Sequence, residues 1–157
     1  MLVKELMTER VFTVEPHDLV DRVFFLIHYE KIRHLPVVEK HKLVGIVSDR
    51  DLYKTLGPKS NSNAVEGSHD GSDLHVIPKK VQNIMRRGVL TTSPDACVSE
   101  AAGIMADHKI GALPVVENDK LVGIISTGDI LRVFSKIERA REKREKKIAA
   151  AAATGKR

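Results

Sequence analysis

The chain repeats itself at a constant offset of 78 residues, and this repeat constrains the fold more than any other feature. Residues 3–52 align with 81–130 without a gap and agree at 20 of 50 positions. Agreement is densest where Leu35–Glu39 meets Leu113–Glu117, each reading Leu-Pro-Val-Val-Glu. The repeat indicates two copies of one supersecondary unit, each too small to bury a comfortable core alone.

Each copy predicts the order strand, helix, strand, strand, helix. The first strand is expected at Val11–Val14 and Val89–Thr92, and the helix after it is expected to take Pro16 or Pro94 into its first turn. Short β-branched runs separated by a polar turn then predict a hairpin, and the closing helix begins at Ser48 or Ser126. The predicted fold class is therefore α/β (α+β), with two β-α-β-β-α repeats packed with pseudo-two-fold symmetry and clefts between them.

Apolar spacing predicts which helix side chains face the core. The inward set of the first copy is Leu19, Val20, Val23, Phe24, Ile27 and Leu52, and that of the closing helix in the second copy includes Ile130 and Leu131. Cys97 aligns with Leu19, which predicts a small core residue rather than a nucleophile.

Composition divides the chain into four segments. We expect a first repeat over residues 1–56, a linker loop over 57–77 rich in Gly, Ser and Asn, a second repeat over 78–134 and a basic helical tail over 135–157. The net charge of +5 lies in the tail: residues 132–157 hold 10 basic and 3 acidic residues, which leaves residues 1–131 at net −2. Nucleic acid is therefore not an expected partner of the folded body, and the tail is either a solvated extension or a docking helix for a partner.

Several classes of location are disfavoured. The apolar runs are far shorter than the roughly 20 residues that span a bilayer, and the N-terminus lacks the order of a secretion signal. The single cysteine permits no intrachain disulfide, so a cytoplasmic location is expected.

The sequence Ser-x-x-Asp occurs at the end of the third predicted strand in both copies, as Ser48–Asp51 and Ser126–Asp129. Such spacing is typical of a capping box, in which the hydroxyl and the carboxylate satisfy amides at a helix start. The same junction also offers free amides to an anion and a carboxylate to paired hydroxyls of a sugar. Both interpretations remain open from the spacing alone.

With these paired blocks, residues 1 to about 134 resemble the cystathionine β-synthase (CBS) domain family, whose tandem pair is called a Bateman module. The resemblance implies dimerisation through the repeats and binding of adenosine compounds between them. It implies that the Asp of Ser-x-x-Asp binds the ribose, while backbone of the first strand and of the segment before Pro-Val-Val holds the base.

By that resemblance each cleft is composite. One would combine Ser126, Thr127 and Asp129 with Thr13, Val14, Ile32, Arg33, His34 and Pro36. The other would combine Ser48, Arg50 and Asp51 with Thr91, Thr92, Ile110, Gly111, Ala112 and Pro114. Because Arg33 and His34 suit phosphate oxygens, the cleft with Asp129 is expected to be the better phosphorylated-nucleotide site.

The sequence thus predicts a regulatory module that senses an adenosine nucleotide and is not an enzyme. AMP is the expected ligand, ADP, ATP, NAD and S-adenosylmethionine are alternatives, and a protein acting through its basic tail on nucleic acid or another partner is a further one. The seven histidines lack metal-ligand spacing, so no metal site is expected. No nucleophile, base or phosphate-transfer loop converges on the clefts, which disfavours a nucleotide hydrolase.

Overall fold

Each repeat forms one antiparallel hairpin in a computed structural model that describes residues 1–54 and 79–154, with side chains to residue 151. The linker predicted over residues 57–77 lies outside the described residues. The α-helices and β-strands are, in chain order, α1 (Val20–Tyr29), β1 (His34–Glu39), β2 (Lys42–Ser48), α2 (Asp49–Tyr53), α3 (Val98–Asp107), β3 (Ala112–Glu117), β4 (Lys120–Ser126) and α4 (Thr127–Thr154).

The hairpins form where the sequence predicts them. β1 pairs with β2 and β3 with β4, and in each pair the first residue of one strand lies opposite the final Ser of the other. Two residues with positive φ connect each pair, Lys40 and His41 in the first hairpin and Asn118 and Asp119 in the second. Two consecutive residues of this kind form the type I′ turn that matches the twist of paired strands.

The strand predicted at Val11–Val14 is reduced to a single parallel bridge between Val14 and Val37, and Thr92 bridges Val115 in the same way. The chain turns immediately afterwards, because the amide of Asp18 donates to the carbonyl of Glu15. Pro16 therefore lies in this turn and not in the first turn of a helix, and α1 begins four residues later. Each sheet therefore has two strands, and the first predicted strand of each repeat contributes only this parallel bridge.

Each repeat begins on the body of the other. The amide of Val3 donates to the carbonyl of Ala96, and the amide of Val81 donates to the carbonyl of Asp18. Val3 is consequently buried among side chains of the second repeat, and Val81 among those of the first. The core of each repeat therefore includes a residue from the start of the other repeat. These shared cores hold the two repeats together.

Some side chains predicted to face the core do not. Val20, Val23 and Leu52 are buried, whereas about half or more of the surface of Leu19, Phe24 and Leu131 is exposed. Phe24 instead stacks on the imidazole of His28 one turn later. Cys97 is exposed as well, because α3 begins at Val98 and Cys97 is its N-cap residue.

α4 continues the closing helix of the second repeat directly into the basic tail. Its start packs against the core through Ile130, while every described side chain from Arg139 to Ala151 is exposed. In the described part of the chain no helix is both long enough and apolar enough to cross a membrane.

Candidate functional site

A cavity of about 470 Å³ lies between the two repeats. We name it the Asp51 cavity. Its lining comprises Arg33, His34, Ile46, Ser48, Asp49, Arg50, Asp51, Arg86, Arg87, Gly88, Val89, Leu90, His108, Lys109, Ile110, Gly111, Ala112 and Thr127.

One wall is the junction of β2 with α2, and Ser48 organises it. The Ser48 hydroxyl accepts from the amide of Asp51 at 3.3 Å and donates to Asp51 Oδ2 at 2.6 Å. The Ser48 amide also donates to that oxygen, at 3.1 Å. The predicted capping box is therefore present, and it engages one carboxylate oxygen while the other, Oδ1, is left for other partners.

Asp51 Oδ1 is held by cations. Arg86 Nε donates to it at 3.1 Å from the second repeat, and Nζ of Lys54, the C-cap residue of α2, lies 3.6 Å away. Only 6% of Asp51 is exposed. Burial acts to raise the pKa of Asp51, but the hydrogen bonds from Ser48 and Arg86 outweigh it and hold that pKa below its usual value. Asp51 is consequently ionised at neutral pH.

The opposite wall belongs to the second repeat and comprises Arg86–Leu90 and the segment before β3. The His34 ring contacts this opposite wall at Gly111. The contact is so close that a methyl group on Gly111 would lie 2.8 Å from the ring. Burial and the neighbouring charge of Arg33 lower the pKa of His34, so its imidazole is neutral at pH 7.

The second Ser-x-x-Asp junction has the same cap but a different setting. Ser126 donates to Asp129 Oδ2 from its amide at 2.8 Å and from its hydroxyl at 2.6 Å. Arg132, one turn along α4, donates to Oδ1 at 2.5 Å. Burial opposes ionisation here too, and the bonds from Ser126 and Arg132 lower the pKa of Asp129 despite it.

The structure rearranges the two predicted residue sets. The prediction that Arg33 and His34 belong to the cleft with Asp129 is wrong, because they line the Asp51 cavity instead. The hairpin register explains this, because His34 lies opposite Ser48 and the amide of Asp49 donates to the carbonyl of Arg33. The residues before β1 are thereby fixed beside the end of β2 in their own repeat.

Other predicted residues fall into three groups. The cavity lining includes Ser48, Arg50, Asp51, Ile110, Gly111, Ala112 and Thr127. A second group packs in the core or contributes backbone hydrogen bonds and does not line the cavity: Val14, Ile32, Pro36, Thr92 and Pro114. Outside the cavity lie Thr91, which is exposed, the half-buried Ser126 and Asp129, and Thr13, which lines a second recess of about 380 Å³ with Glu9, Val11, Val38, His41, Lys120 and Leu121.

Sequence reasoning missed the cationic wall formed by Arg86, Arg87 and Lys109. The 78-residue offset aligns Arg86 with Thr8 and Arg87 with Glu9, so a comparison of charges between the copies would have revealed the difference. Among the described residues, the lining holds five arginine and lysine side chains, namely Arg33, Arg50, Arg86, Arg87 and Lys109, and two carboxylates, Asp49 and Asp51. Such an excess of positive charge favours an anionic ligand.

Across residues 1–54 and 79–154 no three His, Cys, Asp or Glu side chains are grouped to hold a metal ion.

Comparison with known proteins yields one family. The family model described as "CBS domain" matches residues 3–57 and 81–136. An uncharacterised protein of Methanocaldococcus jannaschii is 31% identical over 85% of this chain and 91% of its own length. A homoserine O-acetyltransferase of Methanococcoides burtonii is 37% identical over 84% of this chain, which spans only 24% of that enzyme.

Two solved structures are similar in fold and hold adenosine compounds. The CBS domain pair of protein MJ0100, in complex with 5′-methylthioadenosine and S-adenosyl-L-methionine, superposes with a TM-score of 0.72 at 28% identity, covering 87% of this chain and 97% of that one. CBSX2 in complex with AMP superposes with a TM-score of 0.67 at 28% identity, covering 87% and 98%.

Proposed function

The chain belongs to the CBS domain family, and from this membership we propose that it is a regulatory module that binds an adenosine nucleotide in the Asp51 cavity. The single observation that carries the proposal is the position of Asp51, an ionised carboxylate on the wall of a cavity that both repeats line. A carboxylate accepts two hydroxyl hydrogens, which suits the paired hydroxyls of a ribose. The surrounding cations suit the phosphate of a nucleotide.

A role in regulation follows from the composite lining. Because residues of both repeats contact one cavity, a bound ligand favours whichever arrangement of the repeats fits it best. AMP, which is bound in the CBSX2 structure, is the proposed ligand, and ADP, ATP, NAD and S-adenosylmethionine are the alternatives. We propose no catalytic role, and incubation with ATP should release no ADP above the protein-free rate.

Isothermal titration calorimetry tests the site. AMP should bind the full chain, Asp51→Ala should abolish binding, and Asp129→Ala is the matched control because it removes a carboxylate capped in the same way. The control should retain most of the affinity, since Arg33 and His34 line the Asp51 cavity. Equal losses in both variants, or no binding of any adenosine compound, would refute this assignment.

We also propose a homodimer through the repeats. Large apolar side chains are exposed on two helices, Phe24, Phe25 and Tyr29 on α1, and Leu131, Phe134 and Ile137 on α4. Clusters of exposed apolar side chains mark interaction sites. Sedimentation should give twice the chain mass, and Phe25→Glu or Phe134→Glu should lower it. Ile148→Glu, at an exposed position far along α4, is the control.

The basic tail favours a second binding function, docking of nucleic acid. Lys136, Arg139, Lys143 and Lys146 follow one another at intervals of three and four residues, which places them on one face of α4. All four are exposed, and none pairs with a carboxylate among the described residues. This face carries no apolar anchor of the kind that protein interfaces need, whereas phosphate contacts alone suffice for nucleic acid.

Matched double variants test this docking. Arg139→Gln with Lys143→Gln removes two charges from the basic face, and Arg141→Gln with Arg144→Gln removes two charges from the rest of the helix. The first variant should weaken binding of a DNA duplex and reduce the salt slope, by about 0.9 for each lost phosphate contact. Equal effects of the two variants would mean that only net charge matters.

A further inference from the structure

The contact between Arg86 and Asp51 occupies the oxygen that a ribose would need. Asp51 Oδ2 already accepts two hydrogen bonds from Ser48, and Oδ1 accepts from Arg86 Nε at 3.1 Å. Because Ser48 already uses both acceptor positions of Oδ2, the two hydroxyls of a ribose would both have to bind Oδ1, and Arg86 takes one of the two acceptor positions of that oxygen. A ligand that binds Asp51 through two hydroxyls must therefore displace the Arg86 side chain.

The side chain of Arg86 can move while its backbone stays in place. Its backbone is fixed, because its amide and carbonyl exchange hydrogen bonds with Ile46 at 2.9 and 3.0 Å. Its side chain is 57% exposed, whereas that of Asp51 is 7% exposed. The guanidinium can thus leave the carboxylate while the backbone bridge between the repeats remains.

The cost of displacement depends on what else the ligand carries. In the described part of the chain, four other cations line this cavity: Arg33, Arg50, Arg87 and Lys109. Once Arg86 leaves Asp51, its charge is repelled by these cations. A neutral nucleoside leaves that charge uncompensated. A phosphate chain accepts the released guanidinium in a charge-assisted, bidentate hydrogen bond.

We propose that Arg86 is a specificity-determining residue that exchanges Asp51 for the phosphate of the ligand, so that the Asp51 cavity selects phosphorylated adenosine nucleotides over neutral or cationic adenosine compounds. This inference rests on the proposed function and specifies its ligand class. It disfavours S-adenosylmethionine, whose sulfonium adds a positive charge.

The carboxylate of the second repeat, Asp129, has no corresponding contact with an arginine of the first repeat among the described residues. Thr8 occupies the position that corresponds to Arg86, and it makes the equivalent backbone bridge to Ile124. Asp129 is paired only with Arg132 of its own helix among the described residues. Exchange between the repeats is therefore confined to the Asp51 side.

Displacement of a fluorescent ATP analogue from the full chain measures weak and strong ligands on one scale. In Arg86→Gln, adenosine should bind about two- to fivefold more tightly, because the ion pair between Arg86 and Asp51 no longer has to break, and ATP about tenfold more weakly. Arg86→Thr, which introduces the residue of the first repeat, should behave alike. Arg87→Gln is the matched control: it should weaken ATP without strengthening adenosine.

The sign of the adenosine change decides the inference. Unchanged or weaker adenosine binding in both Arg86 variants overturns the exchange, even where ATP binding falls. Failure of the proposed function looks different, since the wild-type chain would then bind no adenosine compound or would be indifferent to Asp51→Ala. Urea unfolding of the Arg86 variants confirms that any loss of binding occurs in a folded chain.

Discussion

Met85 lies so close to Gly45 that a methyl group on Gly45 would stand 2.8 Å from the Met85 sulfur. The same methyl group would lie 3.1 Å from the backbone carbonyl of Arg86. Gly45 lies in β2, next to the backbone bridge between Ile46 and Arg86. The missing side chain of Gly45 thus allows the second repeat to approach the first and positions the Arg86 wall of the cavity.

Substitution of Gly45 should therefore be costly. We expect Gly45→Ala to lower the free energy of unfolding by about 1–3 kcal/mol, because a methionine and a backbone carbonyl must both shift. Gly103→Ala in α3 is the control, since a methyl group on Gly103 would meet nothing within 4 Å. That change should stabilise the chain by about 0.5–1 kcal/mol. Urea titration measures both, and an equal response would contradict the packing argument.

Loss of the Ser48 hydroxyl should destabilise the start of α2. Ser48→Ala removes a helix cap and one of the hydrogen bonds to Asp51, at an expected cost of about 1 kcal/mol. It should also weaken AMP binding, because Asp51 loses its fixed orientation. Ser99→Ala, at an exposed position in α3, should change neither quantity measurably. A stable Ser48→Ala variant with normal affinity would show that the cap is dispensable.

The protein should lose stability as the pH falls below about 6.5. Burial and the charge of Arg33 lower the pKa of His34 in the folded chain, so the unfolded chain binds the proton more tightly. Stability therefore rises with pH through this window and is lost as the pH falls from the unfolded pKa of His34 toward its folded one.

His34→Gln should flatten this dependence, as measured by the free energy of unfolding between pH 7.5 and 5.5. Arg33→Gln should reduce it as well, because the neighbouring positive charge disappears. An unaltered slope in both variants would exclude His34 as its source.

Truncation after Glu138 should leave the body intact. Every described side chain from Arg139 to Ala151 is exposed, so the expected change in the free energy of unfolding is within about 0.5 kcal/mol. Ile130→Ala, nearer the start of α4, should cost more, about 2 kcal/mol, because Ile130 packs against the core of the second repeat. A large loss on truncation would mean that the tail contacts the body or a second subunit.

Local patterns predicted much of the fold. The repeat offset, the hairpins and the Ser-x-x-Asp caps involve residues close together in the chain, where turn geometry and hydrogen bonding depend on few neighbours. The first strand is shorter than its pattern predicts because Val14 alone finds a partner before the turn at Glu15–Asp18. The core positions predicted for Phe24 and Cys97 are wrong because periodicity reports an apolar side of a helix without saying whether anything covers it.

By itself the sequence determined that two equivalent units pair, and that each ends a hairpin with a capped carboxylate. Only the tertiary structure decided which residues surround each carboxylate, because that depends on contacts between segments distant in the chain. Val3 and Val81 each complete the core of the opposite repeat, and the bridge from Arg86 to Ile46 then brings a cation to Asp51. Near-identical motifs consequently acquire different electrostatic surroundings, since Arg86 and Thr8 occupy corresponding positions.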